Sequence, residues 1–483
     1  MLNRHATSTR QEATNIRKYL FAHQAHIALI AVYAILGTAW AAFAHFVGPD
    51  IIVATCADRS PSMLNRWSLF TGAIEIAVVL HFIIVLVILS IDRRHKLRFR
   101  DEAKTNADTN TVLIAFSAVF LTTTAVTGFS RGDYSDYDIE WTSILNGQNP
   151  WSFDDILNAY GPLFNVLAPM TWLNPLFNKL LFAFSYLVYV IWLIKVHGPR
   201  CSFDAPSRFC YGLLLLNMFP WVQIAYLGHF DVLVGLACVA AVHSLVYRKD
   251  ALSGTYLASG ILLKFIPIVI LPFLAFNGRR FHFRLVACCI AFVGLGFLAS
   301  VLVWGTSTFT PLSFAATRAP TWSIYSLMNS QHSPLHLIWD TPRAEWMEKP
   351  LLVTAGLSMF IWCTLRQVEL ALSATLAILV TLLLYRVGFP NYHLVSLCMV
   401  SYFVVSESRR FSERTVLAAL LIGYFNFLAI AVFSYWMHIS EYIFYSTNVI
   451  ALLQFLLGCT VLAGLIWFAS LSAPVNQESR NNG

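Results

Sequence analysis

The sequence predicts an all-α, polytopic integral membrane protein, and three observations carry that reading. Hydrophobic residues make up 58% of the 483 and charged residues only 12%, where soluble chains sit near about one half and about one quarter. Apolar runs long enough to cross a bilayer recur from end to end. The runs lack the two-residue alternation of a lipid-facing barrel strand, and lipid offers backbone groups no partners, so the spans are helical.

About twelve spans follow, near 27–48, 69–91, 111–129, 177–194, 209–227, 230–247, 283–303, 351–365, 370–385, 394–406, 415–436 and 447–470. With the N-terminus inside, the inside segments hold 23 of the 32 Lys and Arg residues, as the positive-inside rule requires. The net charge of +7 is therefore a topology signal, and no nucleic-acid partner is expected. Residues 252–277 form one apolar run with basic residues on both sides, Arg248 and Lys249 before it and Arg279 and Arg280 after it. A re-entrant hairpin turning near Lys264 and Pro267 keeps the charge pattern consistent, since Pro breaks a helix.

Three domains are expected: a two-helix addition at 1–105 with a basic inside loop, a catalytic membrane domain at 106–471, and a polar tail at 472–483. Seven of the nine cysteines fall in spans and Cys56 alone is clearly outside, so no disulfide framework is implied. Residues 1–26 carry no short apolar core or cleavage site, so no cleaved signal is expected. No Asn-x-Ser/Thr acceptor occurs, which leans toward a bacterial inner membrane, with the endoplasmic reticulum as the alternative.

Chain order then gives the polar islands. Glu75 and His81 lie inside the second span, where ionisable groups are expensive; each either functions or pairs with a neighbouring helix. Residues 131–165 follow the third span and face outside as a loop, with Asp133, Asp136, Asp138 and Glu140 inside eight positions. Residues 158–173 read as a short interfacial helix limited by Pro162 and Pro169. His229 and Asp231 sit in a tight outside turn and either contact a ligand or cap the next helix, where Asp is favoured. Lys264 either snorkels to an interface or points into a cavity to bind an anion.

The long outside loop 304–350 carries Arg318, Tyr325, Gln331 and His332; its aromatic content argues for order. His332 and His336 have no third ligand, so no metal site is expected there. The last outside turn holds Arg386, Asn391, Tyr392 and His393, either as interfacial anchors or as phosphate binders. No nucleotide-binding loop, serine-hydrolase elbow or zinc-protease motif is present.

Four motifs on the same outer side, in order, resemble the GT-C superfamily of polyprenyl-phosphate-sugar-dependent glycosyltransferases. More narrowly, the chain is similar to the GPI mannosyltransferase I family and to bacterial family-87 mannosyltransferases. Asp133-Tyr134 ahead of Gly147, Asn149, Pro150 and Trp151 looks like that family's first catalytic loop, and Tyr160-Gly161-Pro162-Leu163 like its Y-x-P-L segment. Gly260 to Pro267, with Leu271-Pro272, resembles its Lys-bearing hairpin, and Arg386-Val387 with Asn391-Tyr392 its late K-V…Q-Y turn, Arg replacing Lys and Asn replacing Gln. The resemblance covers roughly 110–410 and leaves 1–105 as an addition.

The resemblance implies an inverting transfer of a hexose, mannose first, from a polyprenyl-phosphate-sugar to a lipid or glycan acceptor on the outer face. A phosphate leaving group needs no strong general acid. It needs a carboxylate to take the acceptor's proton and cations for the developing phosphate charge. Asp133, Asp136 and Asp138 compete for the first role, and the motif spacing favours Asp133. Lys264, Arg318, Arg386 and His393 are candidates for the second. Tyr160, His229, Asp231, Tyr325, Gln331, Asn391 and Tyr392 are candidate substrate contacts. A divalent metal, Mg or Mn, on Asp133 and Asp136 is compatible with the acidic loop. Two rivals remain: a flippase of lipid-linked sugars, which predicts internal repeats and midplane charges, and a catalytically inactive scaffold.

Overall fold

The computed structural model describes residues 117–118, 121–122, 124–125, 133–151, 159–197, 214, 217–276, 278, 280–328, 341–406, 415–436 and 447–471. The expected spans at 27–48 and 69–91 fall outside these residues, as do Glu75, His81, Gln331, His332 and the tail. The chain divides into two compact units, Met1–Gly128 and Phe129–Gly483. In the first, residues 117, 118, 121, 122, 124 and 125 are helical. All that follows concerns the second.

The second unit is helical throughout its described residues, broken by short 3-10 segments. In order these are α1 (Asp133–Leu145), α2 (Ala168–Leu173), α3 (Phe177–His197), α4 (Met218–Pro220) and α5 (Asp231–Val246). Next come α6 (Asp250–Leu263), α7 (Leu271–Ala275), α8 (Phe283–Trp304), α9 (Thr310–Thr317) and α10 (Ile324–Met328). The last are α11 (Thr341–Arg366), α12 (Leu370–Leu384), α13 (His393–Ser406), α14 (Thr415–Trp436) and α15 (Thr447–Leu471). Among the described residues, Phe283–Thr317 and Val449–Ser470 are long and apolar enough to cross a membrane. Two further bent pairs each qualify when taken as one span, with α2 and α3 bent by 115° and the α4 segment and α5 by 119°.

The centre of the unit is α5, α6, α12 and α13. α12 and α13 are buried along almost their whole length, so they read as continuous apolar sequence without a polar face, as a fully packed helix must. The outward face of α8 keeps Phe283, Ile290, Leu295, Leu302 and Val303 exposed, a surface suited to lipid and not to water.

The acidic stretch, expected as a loop, is the 13-residue helix α1. Asp133 and Asp136 occupy its first turn, where carboxylates complement the positive end of the helix dipole. Its inner face is Tyr134, Tyr137 and Trp141: Tyr134 packs on the other two, and these meet Tyr160, Phe164 and Phe230 edge-to-face or stacked, with ring centroids 4.9–5.5 Å apart. The expected helix over 158–173 is shorter: a 3-10 turn, Phe164–Leu167, leads into α2. Pro169 lies in the first turn of α2, where its missing N–H is no loss, so it starts the helix it was expected to limit.

The apolar run 252–277 breaks where the sequence places the break. α6 ends at Leu263, Lys264 is extended at φ −159° and ψ 134°, and a 3-10 segment at Ile266–Ile270 precedes α7. A helix end buried without partners is costly. The chain solves this with the Tyr160-Gly161-Pro162 loop: Gly161 N–H donates to the Leu263 carbonyl at 3.1 Å, and Leu163 N–H to that of Leu262 at 3.0 Å. The approach is so close that a Cβ on Gly161 would stand 2.2 Å from the Leu262 oxygen. Gly161→Ala is therefore expected to lower thermal stability by about 1–3 kcal/mol. Gly356→Ala, on α11 with nothing near the added methyl, is expected to be neutral or stabilising. Paired melting curves of the two variants in detergent check the contrast.

Candidate active site

A π-helical turn, Trp221–Tyr226, runs from α4 into a tight turn ahead of α5. Gly228 takes φ +75°, and a Cβ there would lie 2.5 Å from the Tyr134 ring. Only glycine suits both demands. The turn is thereby pressed under the first turn of α1, which brings His229 to Asp133: Nε2 lies 3.4 Å from Oδ2. The other ring nitrogen, Nδ1, lies 2.7 Å from Oε1 of buried Gln223.

Asp231, at the start of α5, is fully buried and both of its oxygens are engaged. Lys264 Nζ donates to Oδ1 at 2.5 Å, and Asn391 Nδ2 donates to Oδ2 at 3.2 Å. Lys264 also lies over the Tyr392 ring, 3.8 Å from its centroid, and 5.4 Å from that of Phe230. Four of the expected site positions thus converge in one buried cluster: Asp231, Lys264, Asn391 and Tyr392. Tyr160 adjoins it, its ring 5.2 Å from Phe230.

The three candidate acids and Glu140 have distinct environments on one helix. Burial opposes ionisation of Asp133, but the His229 hydrogen bond and the charges of His229, Lys264 and Arg318 outweigh it and hold the carboxyl below its ordinary value of 3.8. Burial, reinforced by the Asp133 charge, pushes Asp136 up to about 6. Burial also raises Asp138. Glu140 is buried with neither oxygen hydrogen-bonded; burial first, then Asp136, drives its carboxyl well above the usual range. Of the four, only Asp133 feels the charges of Lys264 and Arg318.

The cations differ as well. Arg318 stacks on Phe389 and Phe314, its guanidinium carbon 4.8 and 5.2 Å from their ring centroids, and among the described residues no carboxylate pairs with it. Arg386 is ion-paired in the interior: Nε lies 3.0 Å from Glu348 Oε2, with both side chains under a tenth exposed, and Nη1 donates to the Ala316 carbonyl at 3.3 Å. Around it, Thr321 N–H donates to Arg386 O at 3.0 Å and Gly388 N–H to Thr321 O at 2.9 Å. Ser323 Oγ donates to the same Arg386 carbonyl at 2.7 Å, and Gln454 Nε2 to that of Gly388 at 2.7 Å. The Arg318 loop and the Arg386 turn are therefore one braced unit.

His393 lies behind this unit, fully buried, with the Tyr424 hydroxyl 3.3 Å from its ring nitrogens. Tyr325 is buried and its hydroxyl makes no hydrogen bond. Gln331 lies outside the described residues. Among the described residues no three His, Cys, Asp or Glu side chains converge to hold a metal ion, and no step below is routed through one. Sequence reasoning missed Gln223 and Glu348. Gln223 is one of two amides, with Asn217, inside the apolar run 209–227, a detectable signal, whereas Glu348 sits in a polar stretch with nothing to distinguish it.

The model of glycosyltransferase family 87 matches residues 158–385, a stretch holding Tyr160, His229, Asp231, Lys264, Arg318 and Tyr325. No curated protein and no solved structure matches the chain. The match upholds the resemblance to family 87 and supports a GT-C-like glycosyltransferase.

Removing one partner of a buried ion pair strands the other charge, at about 3–5 kcal/mol. Glu348→Ala is expected to lower stability by that amount, measured by thermal unfolding. An exposed-site control, Lys349→Ala, is expected to change it by less than about 0.5 kcal/mol.

Proposed function

We propose that this chain transfers a hexose, mannose in the simplest case, from a polyprenyl-phosphate-sugar to a lipid or glycan acceptor. The reaction takes place at the outer face of a bacterial inner membrane or, alternatively, the lumenal face of the endoplasmic reticulum. Residues 1–105 are an addition to the catalytic unit. The observation that carries the reading is the convergence of Asp133, by way of His229, with the Asp231–Lys264 pair and Arg318.

The acceptor hydroxyl attacks the anomeric carbon, and its proton passes to the Asp133 carboxylate. The bond between the anomeric carbon and the phosphate oxygen breaks, and the electron pair leaves with the polyprenyl phosphate. One displacement inverts the anomeric centre. Arg318, with no carboxylate opposing it among the described residues, is the first choice to hold the departing phosphate. Lys264 contributes its field while its head stays paired with Asp231. Arg386 acts through the loop that it and Glu348 brace, and His393 through the packing behind that loop.

Asp136 is the second candidate base, because a carboxyl raised to about 6 is better matched to neutral pH than one held low. The two candidates predict different pH profiles. A base must be deprotonated, so activity falls as pH drops through its pKa. With Asp133 as base, kcat/KM is expected to stay level down to about pH 4; with Asp136, it is expected to decline from about pH 6 downward. Sugar transfer from labelled polyprenyl-phosphate-mannose in membranes, at matched expression, is the assay. Asp133→Asn is expected to lose roughly 10²–10⁴-fold in rate. Label that crosses the membrane without forming a glycosidic bond would favour the flippase instead.

A further inference from the structure

Gln223 and His229 are tied together twice. His229 Nδ1 lies 2.7 Å from Gln223 Oε1, and the His229 backbone N–H donates to the Gln223 carbonyl at 2.9 Å. Turning the ring would break its hydrogen bond to the π-helical segment, whose six residues are all buried. Such segments insert one residue into a helix and occur often at functional sites. Gln223 Nε2 is buried and makes no hydrogen bond. A buried amide with one end unpaired is costly to keep, and a leucine would fill the same space without that cost. Packing alone thus gives no reason for the amide, while holding the imidazole does.

The far side of the ring meets Asp133 at Oδ2. Asp133 is about a quarter exposed, so its carboxyl is reachable from outside. Asp231, two residues beyond His229, is closed, both oxygens taken by Lys264 and Asn391. We propose that Gln223 and His229 are positioning residues for the base: Gln223 fixes the imidazole, and the imidazole engages Oδ2 of Asp133 and turns Oδ1 toward the acceptor hydroxyl. The proposal rests on the reading of Asp133 as the base. Neither residue touches the reacting atoms. Their contribution is to hold one oxygen at the angle that in-line attack requires, and misplacement by about 1 Å costs on the order of 100-fold.

The full-length protein in membranes tests this, with kcat and donor KM measured separately for Gln223→Leu, His229→Leu, His229→Gln and Asp133→Asn. Melting curves are recorded for each. Gln223→Leu is expected to lower kcat per folded molecule roughly 10- to 100-fold with donor KM within about twofold, and to lower stability modestly because buried His229 Nδ1 loses its partner. His229→Leu is expected to lose at least as much kcat. His229→Gln, which keeps an N–H donor for Asp133, is expected to recover part of that loss. A purely structural role would instead leave kcat per folded molecule intact. Wild-type kcat in Gln223→Leu together with an inactive Asp133→Asn overturns the positioning role and spares the base. Full transfer by Asp133→Asn overturns the base itself, and the positioning role with it.

Discussion

The ion pair between Asp231 and Lys264, closed off from solvent, is the constraint on which the rest of the site depends. Two charges taken out of water are unfavourable unless each finds further partners. Asp231 has them in Lys264 and Asn391, and Lys264 gains the face of Tyr392 as well. Satisfying the pair ties together three segments distant in sequence: the start of α5, the break after α6, and the 3-10 turn Pro390–Tyr392. It also dictates the break itself. Lys264 reaches Asp231 from an extended backbone, so α6 stops one residue earlier. Its last carbonyls then need donors from elsewhere, and the Gly161–Leu163 backbone supplies them.

On that base, neighbouring carboxylates acquire different chemistry. Asp133 sits next to a histidine and within the field of two cations, so its charge is favoured. Glu140, two turns further along α1, has neither partner nor cation and is driven toward its neutral form. Asp136 lies between these limits. The carboxyls of one helix thus differ in charge, a difference set by environment and not by residue type. The cations show the same logic. Arg386 is committed to Glu348, whereas Arg318 is held by aromatic faces and keeps its charge available.

Much of this was legible in the chain. Lys264 was conspicuous as a lysine in the middle of an apolar run, and Pro267 marked where that run breaks. Asp231, Asn391 and Tyr392 stood out as polar turns beside spans, and the structure gathers them. The helical state of 133–145 was legible in the spacing of Tyr134, Tyr137 and Trp141, at i, i+3 and i+7, but the acids between them masked that stripe and its partner rings lie far off in sequence. Pairings were hidden for the same reason. Asp231 with Lys264 and Arg386 with Glu348 are contacts between distant segments, and composition names the charges without naming their partners. The sequence alone left His229 open between ligand contact and helix cap, and the structure sets its ring between Asp133 and Gln223, contacts that neither reading contained.

A double-mutant cycle on Asp231 and Lys264 tests the central dependence most directly, with thermal unfolding measured for Asp231→Leu, Lys264→Met and the double variant. Each single change leaves a buried charge without its partner and is expected to cost about 3–5 kcal/mol. The double variant removes both charges, so it is expected to be more stable than either single, a coupling that only a mutual interaction produces. Losses in the double variant equal to the sum of the single losses would contradict the account, since the two residues would then be acting independently.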